Sequence, residues 1–113
     1  MRAEYEGYNN GHLEWSDCPY MQSNSNIHHW DYQCKGNTQV REIANALYSK
    51  GRERYDLQGG KGCRFWIYVA GKDFADQGII TGAAPTEIWG KVQFLYHHTN
   101  APEQTAVVQG KFY

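Results

Sequence analysis

The tightest constraint on the fold is an apolar stripe between Val40 and Tyr48. Val40, Ile43, Ala44, Leu47 and Tyr48 recur at i, i+3, i+4, i+7 and i+8, a spacing that a 3.6-residue helix gathers on one face. Thr38 precedes it as an N-cap whose hydroxyl can accept from the unpaired N–H groups of the first turn. Lys50 places a cation at the negative end of the helix dipole, and Gly51 can take the left-handed conformation that stops the helix. Arg41, Glu42, Asn45 and Ser49 make the opposite face polar, which predicts a helix lying on a sheet with one side in water. It is the one helix the sequence predicts.

At 113 residues the chain holds enough material for one core and is expected to form one domain, residues 1–113. Aromatic residues supply 15% of it while Leu, Ile and Val are sparse, so Tyr, Trp and Phe on strands are expected to build the core. A net charge of −1 gives no bulk attraction to nucleic acid or to a membrane. Residues 1–31 carry five acids against Arg2, whereas Lys50, Arg52, Arg54, Lys61 and Arg64 face only Glu53 and Asp56. No run of 18 apolar residues exists, so no membrane partner is expected. Nor does Arg2-Ala3-Glu4 open a signal peptide; a cytosolic protein and a mature secreted domain both fit. Cys18, Cys34 and Cys63 are spaced by 16 and 29 with no C-x-x-C, so a metal site and a cofactor are not expected. One disulfide with a third thiol left over is expected in a small loop-rich chain.

In chain order, Tyr5–Tyr8 and His12–Trp15 flank Asn9-Asn10-Gly11 and predict a hairpin with a two-residue turn. Ser16–Asn26 reads as a loop, and Ile27–Cys34 as a strand feeding the helix. Gln58-Gly59-Gly60-Lys61-Gly62 is a flexible turn and lacks the pattern of a phosphate-binding loop. Cys63–Ala70 alternates Phe65, Ile67 and Val69 with Arg64, Trp66 and Tyr68, which predicts the strongest strand. An irregular segment with extended Ile79-Ile80 follows. A second long strand is expected over Glu87–His97 and a closing one over Gln104–Val108. The expected class is therefore α+β: a hairpin, one helix, and an antiparallel sheet against it.

That order, with Tyr32-Gln33-Cys34 just before the helix, resembles the secreted ribonuclease-like effectors of powdery mildew fungi, fold relatives of the guanyl-specific fungal ribonucleases. The resemblance covers Trp30 to Val108. Relatives pair the motif cysteine with one near the C-terminus, which Gln109–Tyr113 does not offer, so Cys34 would pair with Cys18 or Cys63 or stay reduced. It implies a fungal protein secreted to act inside a host cell as a virulence or avirulence factor. Its partners would be a host protein, including a plant intracellular (NLR-type) immune receptor, with weak RNA binding besides, and the chain would be a monomer.

Ribonuclease relatives cleave RNA with a carboxylate base, a histidine acid and a phosphate-steadying arginine. The strand matching theirs, Cys63–Ala70, has Arg64 and no acid, and the next offers Lys91, which lacks a bidentate fork. A missing base alone costs roughly 10²–10⁴ in rate, so no enzyme activity is expected and no catalytic residue is assigned. His97 and His98 are expected at a strand end, and Glu87 could serve as a base only opposite Arg64 and a histidine. Binding candidates are the basic residues Lys50, Arg52, Arg54, Lys61, Arg64 and Lys91, with Trp66 and Tyr68 to stack bases and His97 and His98 at the edge. Two alternatives remain: an active secreted ribonuclease or ribosome-inactivating toxin, and a small extracellular carbohydrate-binding domain using its Trp and Tyr.

Overall fold

The computed structural model describes residues 1–3 and 9–113. Helix α1, Val40–Tyr48, stands where the stripe places it, one residue later at its start than the Thr38 cap implies. Gln39 takes the cap position, and the Glu42 carboxylate accepts its N–H; the Thr38 hydroxyl donates instead to the Lys35 carbonyl. At the other end Gly51 adopts φ +65°. Its N–H donates to Tyr48 O and the Arg52 N–H to Leu47 O, the paired bonds that close a helix on a left-handed residue. Leu47 is buried, but Val40 and Tyr48 at the ends of the stripe are exposed and Ala46 is buried in their place. The buried face is thus narrower than the stripe and turned toward Ala46.

Two of the expected strands are helices. Cys63–Asp76 is α2, and Ala84–Val92 is α3, followed at once by β4, Phe94–Leu95. In the stretch Cys63–Ala70 nearly every residue is apolar or aromatic, so a period of two and a period of 3.6 both find apolar partners. The buried set decides between them: Trp66, Ala70 and Asp73 are spaced i, i+4 and i+7. In α3, Pro85 is no breaker, since it stands in the first turn where its missing N–H costs nothing. Glu87 in the first turn and Lys91 in the last suit the helix dipole. Among the described residues there are thus three helices, not one, and the class stands only as mixed helix and antiparallel strand. No helix among them is long and apolar enough to cross a membrane.

The strands are short. β1 (Arg2–Ala3) pairs with β2 (Gly11–His12), β3 (Tyr55–Asp56) with β6 (Lys111–Phe112), and β4 with β5 (Glu103–Gln104), all antiparallel. An N-terminal hairpin therefore forms with Arg2 opposite His12. Its turn is not at Asn10-Gly11, for Gly11 lies in β2 and Asn10 bridges Asp56; Tyr5 and Tyr8 fall outside the described residues. Trp15 belongs to no strand; its indole N–H donates to the Tyr48 hydroxyl at 2.8 Å. Ile27–Cys34 is likewise no strand; it is an irregular strap whose His28 and Trp30 pack against Tyr96. The expected closing strand shrinks to β5. Gln58 and Lys61 exchange both backbone hydrogen bonds, making the glycine turn a tight one.

Leu47, Tyr55, Leu57, Trp66 and Ala70 form the core, with Phe65, Phe74 and Phe112 packed against it. Aromatic rings dominate it as composition demands, although Trp66 reaches it from a helix. Tyr55 is wholly enclosed; its hydroxyl donates to Gly62 O and accepts from the Gly110 N–H, each at 2.8 Å. No two of Cys18, Cys34 and Cys63 stand at bonding distance in this structure, Cys18 and Cys34 being exposed and Cys63 half-buried.

Candidate functional site

α2 and α3 run antiparallel. The Arg64 guanidinium donates to Val92 O at 2.8 Å, Tyr68 meets Trp89 edge-on with ring centroids 4.9 Å apart, and Gly71 lies against Ile88. A Cβ at Gly71 would stand 2.5 Å from Ile88 Cδ1, the free end of that side chain, so a larger residue there would have to push the Ile88 methyl aside. Trp66 and Ala70 turn one face of α2 into the core, while Ile67 and Phe74 leave a second apolar face beside α3.

That second face is one wall of a cleft of about 630 Å³. Ile88 and Val92 of α3 continue the wall, Ile43 of α1 and Ile80 close one end, and Phe94 and Tyr96 approach the other. Trp30, Tyr32 and Cys34 of the strap border the opening. No Asp or Glu lines the cleft; Arg64 and Lys91 are its only charged residues among those described. Ile67 remains 51% exposed, so the cleft is open to solvent and not a sealed void.

The strap is fixed over the opening by aromatic contacts. Trp30 packs at 5.2 Å from Tyr96, and His28 meets Tyr96 edge-on at 5.1 Å. Lys91 Nζ stands 5.3 Å from the Trp30 ring centroid, an attraction between ammonium and ring face worth roughly 0.5–1 kcal/mol at exposed sites. Beside the opening lies a shallow polar depression lined by His29, Asp31, Tyr32, Glu87 and Lys91. Burial first, and the Glu87 carboxylate second, push the Tyr32 hydroxyl above the ordinary tyrosine value. Lys91 makes no ion pair among the described residues.

The candidates named from sequence part company. Arg64 and Lys91 come to the cleft, and Trp66 lines its floor. Trp66 is no stacking platform, because it is 8% exposed and its indole N–H donates to Arg52 O at 2.7 Å. Arg52 and Lys50 are not a free basic rim either. Arg52 grips the buried Asp73 through Nε at 2.7 Å and a terminal nitrogen at 3.1 Å, and Lys50 stands 3.4 Å from the same carboxylate. Arg54 donates to the Tyr113 carbonyl and Lys61 is exposed in its turn. His97 is 3.6 Å from Glu103, and His98 is exposed. Glu87 lies near Tyr32, at the opposite end of α3 from the Val92 carbonyl that Arg64 holds. The cleft walls Ile43, Phe74, Ile80 and Ile88 escaped the sequence reading, since their shared face exists only once α2 and α3 are recognised as helices.

The whole chain, residues 1–113, matches the family described as Domain of unknown function (DUF7770). The chain belongs to that family. No curated protein and no solved structure matches it. The chemistry of this DUF7770 chain therefore rests on its own residues, and the cleft is where apolar surface and unpaired charge converge.

Proposed function

We propose that this DUF7770 chain acts by binding and not by catalysis, holding an apolar or amphipathic small molecule between α2 and α3. One observation carries this reading: a cleft of about 630 Å³, walled by apolar side chains, open to solvent and free of carboxylates. Ligand pockets span about 300–1,000 Å³ and combine mostly apolar walls with a few polar groups. Burying a ligand's apolar surface there gains about 25 cal/mol per Å² before the losses of association are counted. The resemblance to secreted ribonuclease-like effectors loses its frame, because the strand meant to carry the ribonuclease machinery is α2. What remains of it is a domain that works by binding.

The test is titration with a neutral apolar dye, N-phenyl-1-naphthylamine. One saturable site is expected in the natural chain and none in Ile67→Glu, which sets a carboxylate on the exposed wall without entering the core. Equal dye binding by both proteins, each with a cooperative melt, would refute the cleft as the site.

A second reading has its own observation. A separate depression of about 580 Å³ brings Trp89 together with Gln93, Gln104, Thr105 and Gln109. An aromatic face with uncharged amides suits a neutral sugar, and a glycan screen against Trp89→Ala would reveal it.

A further inference from the structure

We infer that the occupant of the cleft is a single-chain amphipathic carboxylate, its head at Lys91 and Arg64 and its tail running toward Phe74 and Ile80. The inference rests on the cleft being a binding site and adds the chemistry of its ligand.

The antiparallel packing gives the cleft two unlike ends. Arg64, in the first turn of α2, holds the carbonyl of Val92, the neighbour of Lys91. Both cations are therefore at one end. Ten residues separate Arg64 from Phe74, which at a 1.5 Å rise is about 15 Å of helix. The far end contains Phe74, Ile80 and Ile43 and no charge. A cation pair at one end of an apolar trough about that long matches a medium acyl chain with one anionic head.

The two cations are prepared differently. Arg64 spends donors on Val92 O at 2.8 Å and Ala106 O at 3.3 Å. Those carbonyls fix the guanidinium but do not neutralise it, and further N–H donors remain. Lys91 has no carboxylate within ion-pair distance among the described residues and stands over the Trp30 face. Asp31 and Glu87 line the outer depression, which Lys91 borders as well, and neither acid lines the trough. An acidic head entering the trough meets two positive charges and no opposing one. A cationic head meets the reverse. A nucleic-acid strand fits less well, because the indole that would stack a base, Trp66, is enclosed.

The experiment displaces the bound neutral dye with three ligands of one tail: dodecanoate, dodecanol and dodecyltrimethylammonium. Dodecanoate is expected to compete roughly tenfold better than dodecanol, the scale of one charge-assisted hydrogen bond, and the ammonium worst. Lys91→Met, whose side chain is exposed and leaves the core untouched, should cut the dodecanoate advantage and leave dodecanol unchanged. Equal competition by all three, or the ammonium competing best, would overturn the carboxylate assignment while leaving the cleft as a binding site. So would a Lys91→Met effect equal for all three ligands. If none displaces a dye that does bind, the trough-filling tail is wrong; if the dye itself does not bind, the reading beneath it fails.

Discussion

Removing the Asp73 carboxylate tests what ties α2 to the segment after α1. Asp73 is 2% exposed, and Arg52 donates to it twice, at 2.7 and 3.1 Å. Arg52 itself lies over the Phe112 ring of β6 at 4.7 Å, so one ion pair joins α2, the post-α1 turn and the C-terminal strand. Breaking a buried pair from one side costs about 3–5 kcal/mol, since the remaining charge is left without its partner. The Arg52 side chain keeps 22% of its surface in water, which lets the orphaned guanidinium rehydrate in part and lowers the expected cost of Asp73→Ala to about 2–3 kcal/mol. At about 4 °C per kcal/mol for a chain of this size, the melting temperature should fall by roughly 8–12 °C. Urea unfolding followed by circular dichroism measures the free energy directly. The double change Asp73→Leu with Arg52→Met removes both charges of that pair and keeps apolar contact with Phe112, while Lys50, which also pairs with Asp73 but is 41% exposed, can turn to water, so the variant should lie within about 1 kcal/mol of the natural chain. Two results would refute the reasoning: a loss below about 0.5 kcal/mol for Asp73→Ala, or a double variant no more stable than the sum of its single changes.

Tyr55→Phe strands the Gly110 N–H and the Gly62 carbonyl in the core and should cost about 1–3 kcal/mol in denaturant unfolding. Burial raises the Tyr55 pKa above its ordinary 10.0 despite the Gly110 hydrogen bond, so the folded state holds this proton longer than the unfolded one. That contribution is complete below about pH 10 and is lost as pH rises through the folded pKa, so the alkaline loss of stability should be smaller in Tyr55→Phe. Leu47→Ala, at a site 3% exposed, should cost about 2–5 kcal/mol, and Leu47→Asp should abolish the cooperative melt. Gly71→Ala gains about 0.5–1 kcal/mol by replacing a mid-helix glycine and loses a comparable amount by displacing the Ile88 Cδ1 methyl, so denaturant unfolding should show a net change within about 1 kcal/mol.

Residues near in sequence settled what local chemistry settles. The Val40–Tyr48 stripe made a helix, Gly51 ended it, and the abundance of rings over Leu, Ile and Val foretold an aromatic core in kind, though not that Tyr55 and Phe112 would form it or that Trp66 would leave the stacking face for it. Lys91 and Arg64 were legible as candidate anion-holding residues. What they do was not, because charge has meaning only beside what it faces. Cys63–Ala70 shows the limit most plainly: when almost every side chain is apolar, alternation and helical spacing fit equally well, and burial of one face must choose. Helical spacing puts Trp66, Ala70 and Asp73 on one side, and that side became the buried one because Leu47 and Arg52, from another part of the chain, pack on it. The cleft followed from that choice. As a strand, Cys63–Ala70 would have turned Arg64 and Trp66 to one face and Ile67 to the other; as a helix against α3 it puts Ile67, Gly71 and Phe74 together and leaves both cations at one end. Spacing fixes which residues can share a face, but only packing over long separations decides which face becomes core and which stays open.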